Sequence, residues 1–301
     1  MNDDFTTLRT GISGGNLGNQ LYLVLQAYRA SQRGGWCKYL VNAGGKKCGF
    51  LEMADVLNVD RYVTAIDGGD AGLYLPNDSY QAYGSDFSQE ELHGFIKETI
   101  LCSRTFADIR RSFAADGASD RVLCINIRNG DFIRYPNKIH WACYDRERYF
   151  RKSFEAINTG RFNRLDVASD DNCLNRRLYD RLFKEYFPEV RYLERTTPSE
   201  DILRISLYRH KVIMNSTFSY WAAFIGDAFY GECDVIAPDF FCDTKPRTAY
   251  NCNPAWKIVN VETRRLQCAG IGFLHLMNLL WAAATFRPLV RKLVSERNGA
   301  K

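Results

Sequence analysis

Along this chain, apolar residues recur at two spacings that take turns, a strand period of two and a helix period near 3.6. Thr7–Ile12 predicts a short strand that runs into the glycine turn Gly14-Gly15-Asn16-Leu17-Gly18. Leu21, Val24, Leu25 and Tyr28 then share one face of a helix expected over about Asn19–Ser31. Brief apolar runs near Lys38–Val41 and Tyr62–Ile66 predict strands. Ser88-Gln89-Glu90-Glu91 is a capping-box signature opening a helix through Leu92, Phe95 and Ile96. A further helix, about Thr105–Ala114, ends in the turn cluster Asp116-Gly117-Ala118-Ser119-Asp120, the expected domain boundary.

Beyond that turn the alternation is cleaner. Strand 122–128 precedes a helix near 145–158, and strand Leu165–Ala168 precedes a helix that reaches about Phe187. Strand 190–193 leads to a helix opened by Pro198-Ser199. Strand Lys211–Met214 gives way to a helix from Phe218, and Asp234–Ala237 reads as a last strand. Strands alternating with helices imply an α/β fold whose parallel sheets are covered on both faces. Ligands of such sheets bind outside the carboxyl ends of the strands, which collects Arg128, Asp170, Asp171, Ser216 and Thr217 on one rim. The expected organisation is a first Rossmann-like domain over 1–118, a second over 119–255, and a basic, apolar helix and tail over 256–301.

Three segments carry candidate chemistry. Val122–Ile127 runs an apolar strand into Arg128, Asn129, Gly130 and Asp131, and a guanidinium there is placed to clamp a diphosphate and offset charge on a leaving group. Gly14–Gln20 is a glycine turn at a helix start, suited to close backbone approach and to an anion, with Asn19 and Gln20 as paired amides. It lacks the G-x-G-x-x-G spacing of a dinucleotide fingerprint. In Met214–Ala223, hydroxyls and backbone N–H groups cluster where strand passes to helix. Each segment also has a plainer reading: a surface turn, an Asn-capped turn, and Ser216 as an ordinary helix cap.

Composition changes the picture in two places. None of the ten cysteines forms a C-x-x-C pair, which gives zinc and thioredoxin chemistry no support and points to a reducing, cytoplasmic setting. The opening residues MNDDFTTLRT carry no secretion signal pattern. The net charge of +5 resides in the tail, where seven basic residues face two acidic ones from Val261 to Lys301. The body is balanced, which argues against a nucleic-acid surface. Cys268–Phe286 is nearly continuous apolar sequence flanked by Arg264, Arg265, Arg287, Arg291 and Lys292. That pattern suits a closing helix packed on the body or peripheral contact with an anionic membrane face through 264–301, while its 19 residues are marginal for a span and polar side chains near the middle argue against one.

Taken together, Gly14–Gln20 (GGNLGNQ), Asn126–Phe132 (NIRNGDF), Ser169–Asp171 (SDD) and Asn215–Ala223 (NSTFSYWAA) resemble, in order and spacing, the signatures of the GDP-fucose-using α-1,2-fucosyltransferases, glycosyltransferase family 11. The resemblance covers roughly residues 7 to 240. It implies a GT-B architecture of two Rossmann-like domains facing across a cleft. It also implies metal-independent, inverting transfer of L-fucose from GDP-β-L-fucose to a galactose-type hydroxyl of an oligosaccharide, forming an α-1,2 linkage without a cofactor. By position, Arg128 would hold the pyrophosphate and Asp131 would be the nearest candidate base. Asn19 would lie near the transferred sugar, with Gly18 in the same turn. Asn126, Asp170 and Asp171 would face the guanine, and Ser216, Thr217 and Phe218 the phosphate and nucleotide. The chain departs from the pattern at Asn126, where the family has histidine, and at Asn129, where it has a second arginine; Arg134 is a neighbour able to replace that charge. Two other readings remain open: a catalytically silent nucleotide-sugar or glycan-binding relative, and a GT-B transferase using another nucleotide sugar.

Overall fold

The computed structural model describes residues 17–33, 39–42, 49–66, 80–117, 120–129, 144–241 and 251–262. Within them, helices α1 (Leu17–Gln32), α2 (Gly49–Val56), α3 (Gln89–Glu98) and α4 (Arg104–Ala115) accompany strands β1 (Tyr39–Asn42) and β2 (Val63–Ile66). The second half runs β3 (Val122–Ile127), α5 (Arg146–Ile157), β4 (Arg164–Ser169), α6 (Asn172–Tyr186), β5 (Glu189–Tyr192), α7 (Pro198–Ser206), β6 (His210–Ile213), α8 (Thr217–Tyr230), β7 (Asp234–Pro238) and β8 (Lys257–Val259). The strand expected at 7–12, the glycines at 14 and 15, Asp131, and the tail at 264–301 lie outside the described residues.

The α/β class and the parallel sheets predicted from the alternation are present. β1 and β2 form a two-stranded parallel pair, and the other six strands form one sheet in the order β5-β4-β3-β6-β7-β8, every pair parallel. Counted from β3, that is the 3-2-1-4-5-6 order of a Rossmann sheet. β3 is central and buried along its whole length, as its unbroken apolar run requires of a strand covered on both faces.

Local chemistry sets the helix ends. Ser88 and Glu91 close the predicted capping box on α3, and Thr197 and Glu200 form a second on α7, whose first residue is Pro198. α5 stops at Asn158, which takes the left-handed conformation that ends helices. Two elements escaped the sequence reading, α2 and β8. The first is one short apolar turn region, and the second is three residues at a sheet edge.

Strand pleating sorts the core into two clusters. Leu123, Ile125 and Ile127 share one with Phe150 and Phe154 of α5 and Tyr179 and Phe183 of α6. Val122 and Cys124 share the other with α7, α8 and the helices of the first half. α8 is apolar nearly all round, which marks a helix buried on every side. Its Trp221 packs on Tyr22 of α1 at 5.2 Å between ring centroids and on Phe95 of α3 at 6.0 Å. This second cluster joins residues from both sides of the expected domain boundary, and α8 makes the contact between the two halves.

Candidate active site

Strand order reverses between β3 and β6, so their carboxyl ends diverge and open a crevice there. β3 delivers Arg128 and Asn129 to that edge, and β4 delivers Ser169, Asp170 and Asp171. β6 delivers Asn215, Ser216 and Thr217. The crevice is also met from the first half of the chain. A Cβ on Gly18 would stand 2.5 Å from the Phe218 nitrogen and 2.5 Å from the Thr217 carbonyl carbon, so the amino ends of α1 and α8 cross backbone to backbone. Only glycine permits that approach. The glycine turn and the hydroxyl-rich segment, far apart in sequence, thus form one corner.

Ser216 occupies the cap position of α8, but its hydroxyl does not cap the helix. The first N–H groups of α8 are thus left without a side-chain cap at the crevice. Asn215 ties the end of β6 to the segment after β7 through Nδ2 to the Phe241 carbonyl at 2.7 Å. Asn19 is half-buried and accepts a long contact of 3.4 Å from Gln81 Nε2.

On the β4 side, Arg128 pairs with Asp170, Nη1 to Oδ2 at 2.9 Å. The other oxygen of Asp170 accepts the Asn129 backbone N–H at 2.8 Å. Asp171 lies beside them and spends its carboxylate on capping α6, accepting from the Leu174 N–H at 3.0 Å. Asn126 sits behind the rim. Its Nδ2 donates to the Ala168 carbonyl at 3.2 Å and its Oδ1 accepts from the Ser219 hydroxyl, so its amide locks α8 to β3 and β4. Phe218 is partly buried against the core of the first-half helices.

Asn129 is the centre of a buried polar network. Its Nδ2 donates to Asn175 Oδ1 at 2.7 Å, and Asn175 Nδ2 donates to the Ser169 hydroxyl at 2.6 Å. Its Oδ1 accepts from Arg146 Nη1 at 2.6 Å. Arg146 is the first residue of α5 and only 7% exposed. A positive charge thus lies beside Asn129, carried by Arg146, which sequence reasoning missed. Two signals pointed there. α5 follows β3, so its first turn lies at the carboxyl rim, and a cation in a first turn opposes the helix dipole.

The structure therefore brings Gly18, Asn19, Arg128, Asp170, Asp171, Ser216, Thr217 and Phe218 to one edge of the sheet, and places Asn126 just beneath it. A guanidinium, uncapped amide groups and hydroxyls converging on a crevice are suited to holding an anion.

Comparisons with known proteins show which family the chain belongs to. The model of glycosyl transferase family 11 matches residues 61–248. An alpha-1,2-colitosyltransferase of Escherichia coli is 30% identical over 180 residues, 56% of this chain and 60% of that protein. The chain thus spans less than two thirds of this curated relative's length. Among solved structures, POFUT1 in complex with GDP shows a TM-score of 0.38 at 14% identity, over 65% of this chain and 59% of that one. POFUT1 in complex with GDP-fucose shows 0.36 at 9% identity, over 73% and 60%.

Proposed function

The chain belongs to glycosyl transferase family 11, and from that premise we propose that it transfers L-fucose, or a close 6-deoxy-L-sugar, from a GDP-linked donor to a galactose-type hydroxyl of a glycan. The observation that carries this reading is Arg128 at the switch point of the sheet, on the same rim as the uncapped start of α8 with Ser216 and Thr217. In this reading the acceptor oxygen attacks the anomeric carbon as the bond from that carbon to the diphosphate oxygen breaks. The configuration inverts, an α-1,2 linkage forms, and GDP leaves. Negative charge gathers on the departing oxygen, and Arg128 offsets it without a metal. To do so the guanidinium turns from Asp170 to the diphosphate, an exchange of one anion for another that costs little reorganisation.

Asp170, released from Arg128, would accept from the guanine ring N–H and amino group, and Asn19 would meet the sugar from the first domain. Asp131 is proposed as the base that takes the acceptor proton. The two-domain division at 118 and the peripheral membrane contact of 264–301 belong to the same reading.

The colitosyltransferase relative supports a second donor. Colitose is L-fucose without the 3-hydroxyl, so the two donors differ by one polar group. The experiment is GDP release, followed with GDP-fucose and GDP-colitose against a galactoside panel, with the linkage read by NMR. We expect turnover with at least one donor and an α-1,2 product. Tight donor binding without turnover on any acceptor would sink the enzymatic reading, and turnover with UDP-sugars alone would sink the GDP reading.

A further inference from the structure

We propose that Arg146 is the second cation of the diphosphate site, a positioning residue acting through Asn129; this rests on the diphosphate-donor reading above. Three observations carry it. First, Arg146 is a buried charge with no carboxylate partner among the described residues. Its Nη1 donates to a neutral amide oxygen, while Nη2 is buried without a hydrogen-bond acceptor among the described residues. Its other neighbours are neutral aromatics: the Tyr144 ring at 6.0 Å, and the Tyr179 hydroxyl beside it.

Second, the nearby carboxylates have other work. Asp145 caps the helix through the Arg148 N–H, Glu147 pairs with Arg151, and Asp170 holds Arg128 and the Asn129 N–H. Third, Arg146 stands at the amino end of α5, where the helix dipole repels a cation. A buried guanidinium with neither carboxylate nor favourable dipole is costly, and such a group persists where something compensates it. The compensating anion has to enter at the rim that Asn129 shares with Arg128.

The charge count at that rim explains why a second cation is useful. Arg128 and Asp170 cancel in the free protein, and Arg195, which reaches the Asp170 carbonyl at 3.4 Å, is offset by Asp171, so among the described residues Arg146 supplies the net positive charge at this corner. It does so from below. Through Asn129 it also fixes the backbone N–H that holds Asp170, and so sets where Arg128 is released.

The test measures binding to the full chain by calorimetry, with inorganic pyrophosphate, GDP and guanosine as probes, for Arg146→Met, Arg146→Lys and the double variant Arg146→Met with Asn129→Arg. Methionine keeps the volume and removes the charge. It should weaken pyrophosphate and GDP roughly tenfold, the scale of one unit charge acting across ~10 Å of partly buried protein, and leave guanosine unchanged. Lysine should retain most of the affinity, and Asn129→Arg should restore what methionine removes. In turnover, donor KM should rise more than kcat falls.

Equal losses for guanosine and GDP, no loss at all, or a lysine variant as weak as methionine would overturn the proposal. If the methionine variant does not fold, the lysine variant alone decides. Wild type binding pyrophosphate but not GDP would sink the GDP reading and leave Arg146 standing; wild type binding neither would sink Arg146.

Discussion

Two buried charges, one inside the sheet and one at its rim, are treated in opposite ways. Asp166, in the middle of β4, is fully buried and saturated. It accepts from Arg164 Nε at 2.9 Å, from Arg191 Nε and Nη2 at 3.0 and 2.7 Å, and from the Tyr208 hydroxyl at 2.6 Å. Arg146, at the carboxyl rim, is nearly as buried and, among the described residues, donates to a neutral amide oxygen with no carboxylate beside it. The fold evidently has enough side chains to complete a buried charge where completion serves the structure. Leaving one incomplete at the edge where ligands bind moves its compensation from folding to binding.

That contrast is easiest to break at its saturated end. Asp166→Ala strands Arg164 and the Tyr208 hydroxyl and leaves Arg191 only its pair with Asp116, and should cost ~3 kcal/mol of stability, read as a shift in the urea midpoint. Turnover per folded molecule should stay unchanged. A loss of kcat with an unmoved midpoint would show that the two centres are not separate.

The rim should respond the other way. Arg128→Ala removes the group proposed to stand at the leaving oxygen, and should cost about 3 kcal/mol of transition-state stabilisation, roughly a hundredfold in kcat. Its pair with Asp170 is partly buried, so the urea midpoint should fall, but by less than in Asp166→Ala. An unchanged kcat would remove Arg128 from the mechanism.

The saturated and unsaturated centres also differ in how well the sequence announces them. The strand–helix alternation foretold the sheet, and the rule on carboxyl ends foretold that Arg128, Asp170, Asp171, Ser216 and Thr217 would share an edge. Those are statements about backbone direction, which periodicity encodes. What stayed hidden depends on burial decided by tertiary packing. Arg146 reads in sequence as one of several cations on the charged helix RERYFRKSFEAI, which has every mark of a solvated face. Asn126 reads as a free amide at a strand end, yet Ala168 and Ser219 claim both its atoms. Gly18 reads as a turn glycine, while its contact lies with Thr217 and Phe218, two hundred positions along the chain.

Gly18 offers the next test, because it joins the rim to the first half of the chain. In Gly18→Ala the methyl group meets two backbone atoms at 2.5 Å, and backbone cannot swing aside. The ends of α1 and α8 must part, at a cost of ~1–3 kcal/mol. Donor affinity should fall with stability here. A variant with normal stability and normal donor KM would show that the two helix ends do not need to touch.

The smallest effect concerns a third buried charge, Asp227 of α8, which is saturated but still strained. It accepts from the Trp256 indole at 2.7 Å, the Asn253 amide at 3.1 Å and the Cys233 N–H at 3.0 Å, and Lys211 lies near it. Even so, burial outweighs those partners and holds its carboxyl above the ordinary aspartate value. A folded-state pKa above the unfolded one means that the native protein binds this proton more tightly. The contribution to stability is then fully present below the unfolded value, and is lost as pH rises through the folded one. The stability of wild type relative to Asp227→Asn, from urea midpoints, should therefore decline from about pH 4 upward. The opposite slope would mean that attraction to Lys211 outweighs desolvation, and would place Asp227 beside Asp166 as a charge that the fold fully compensates.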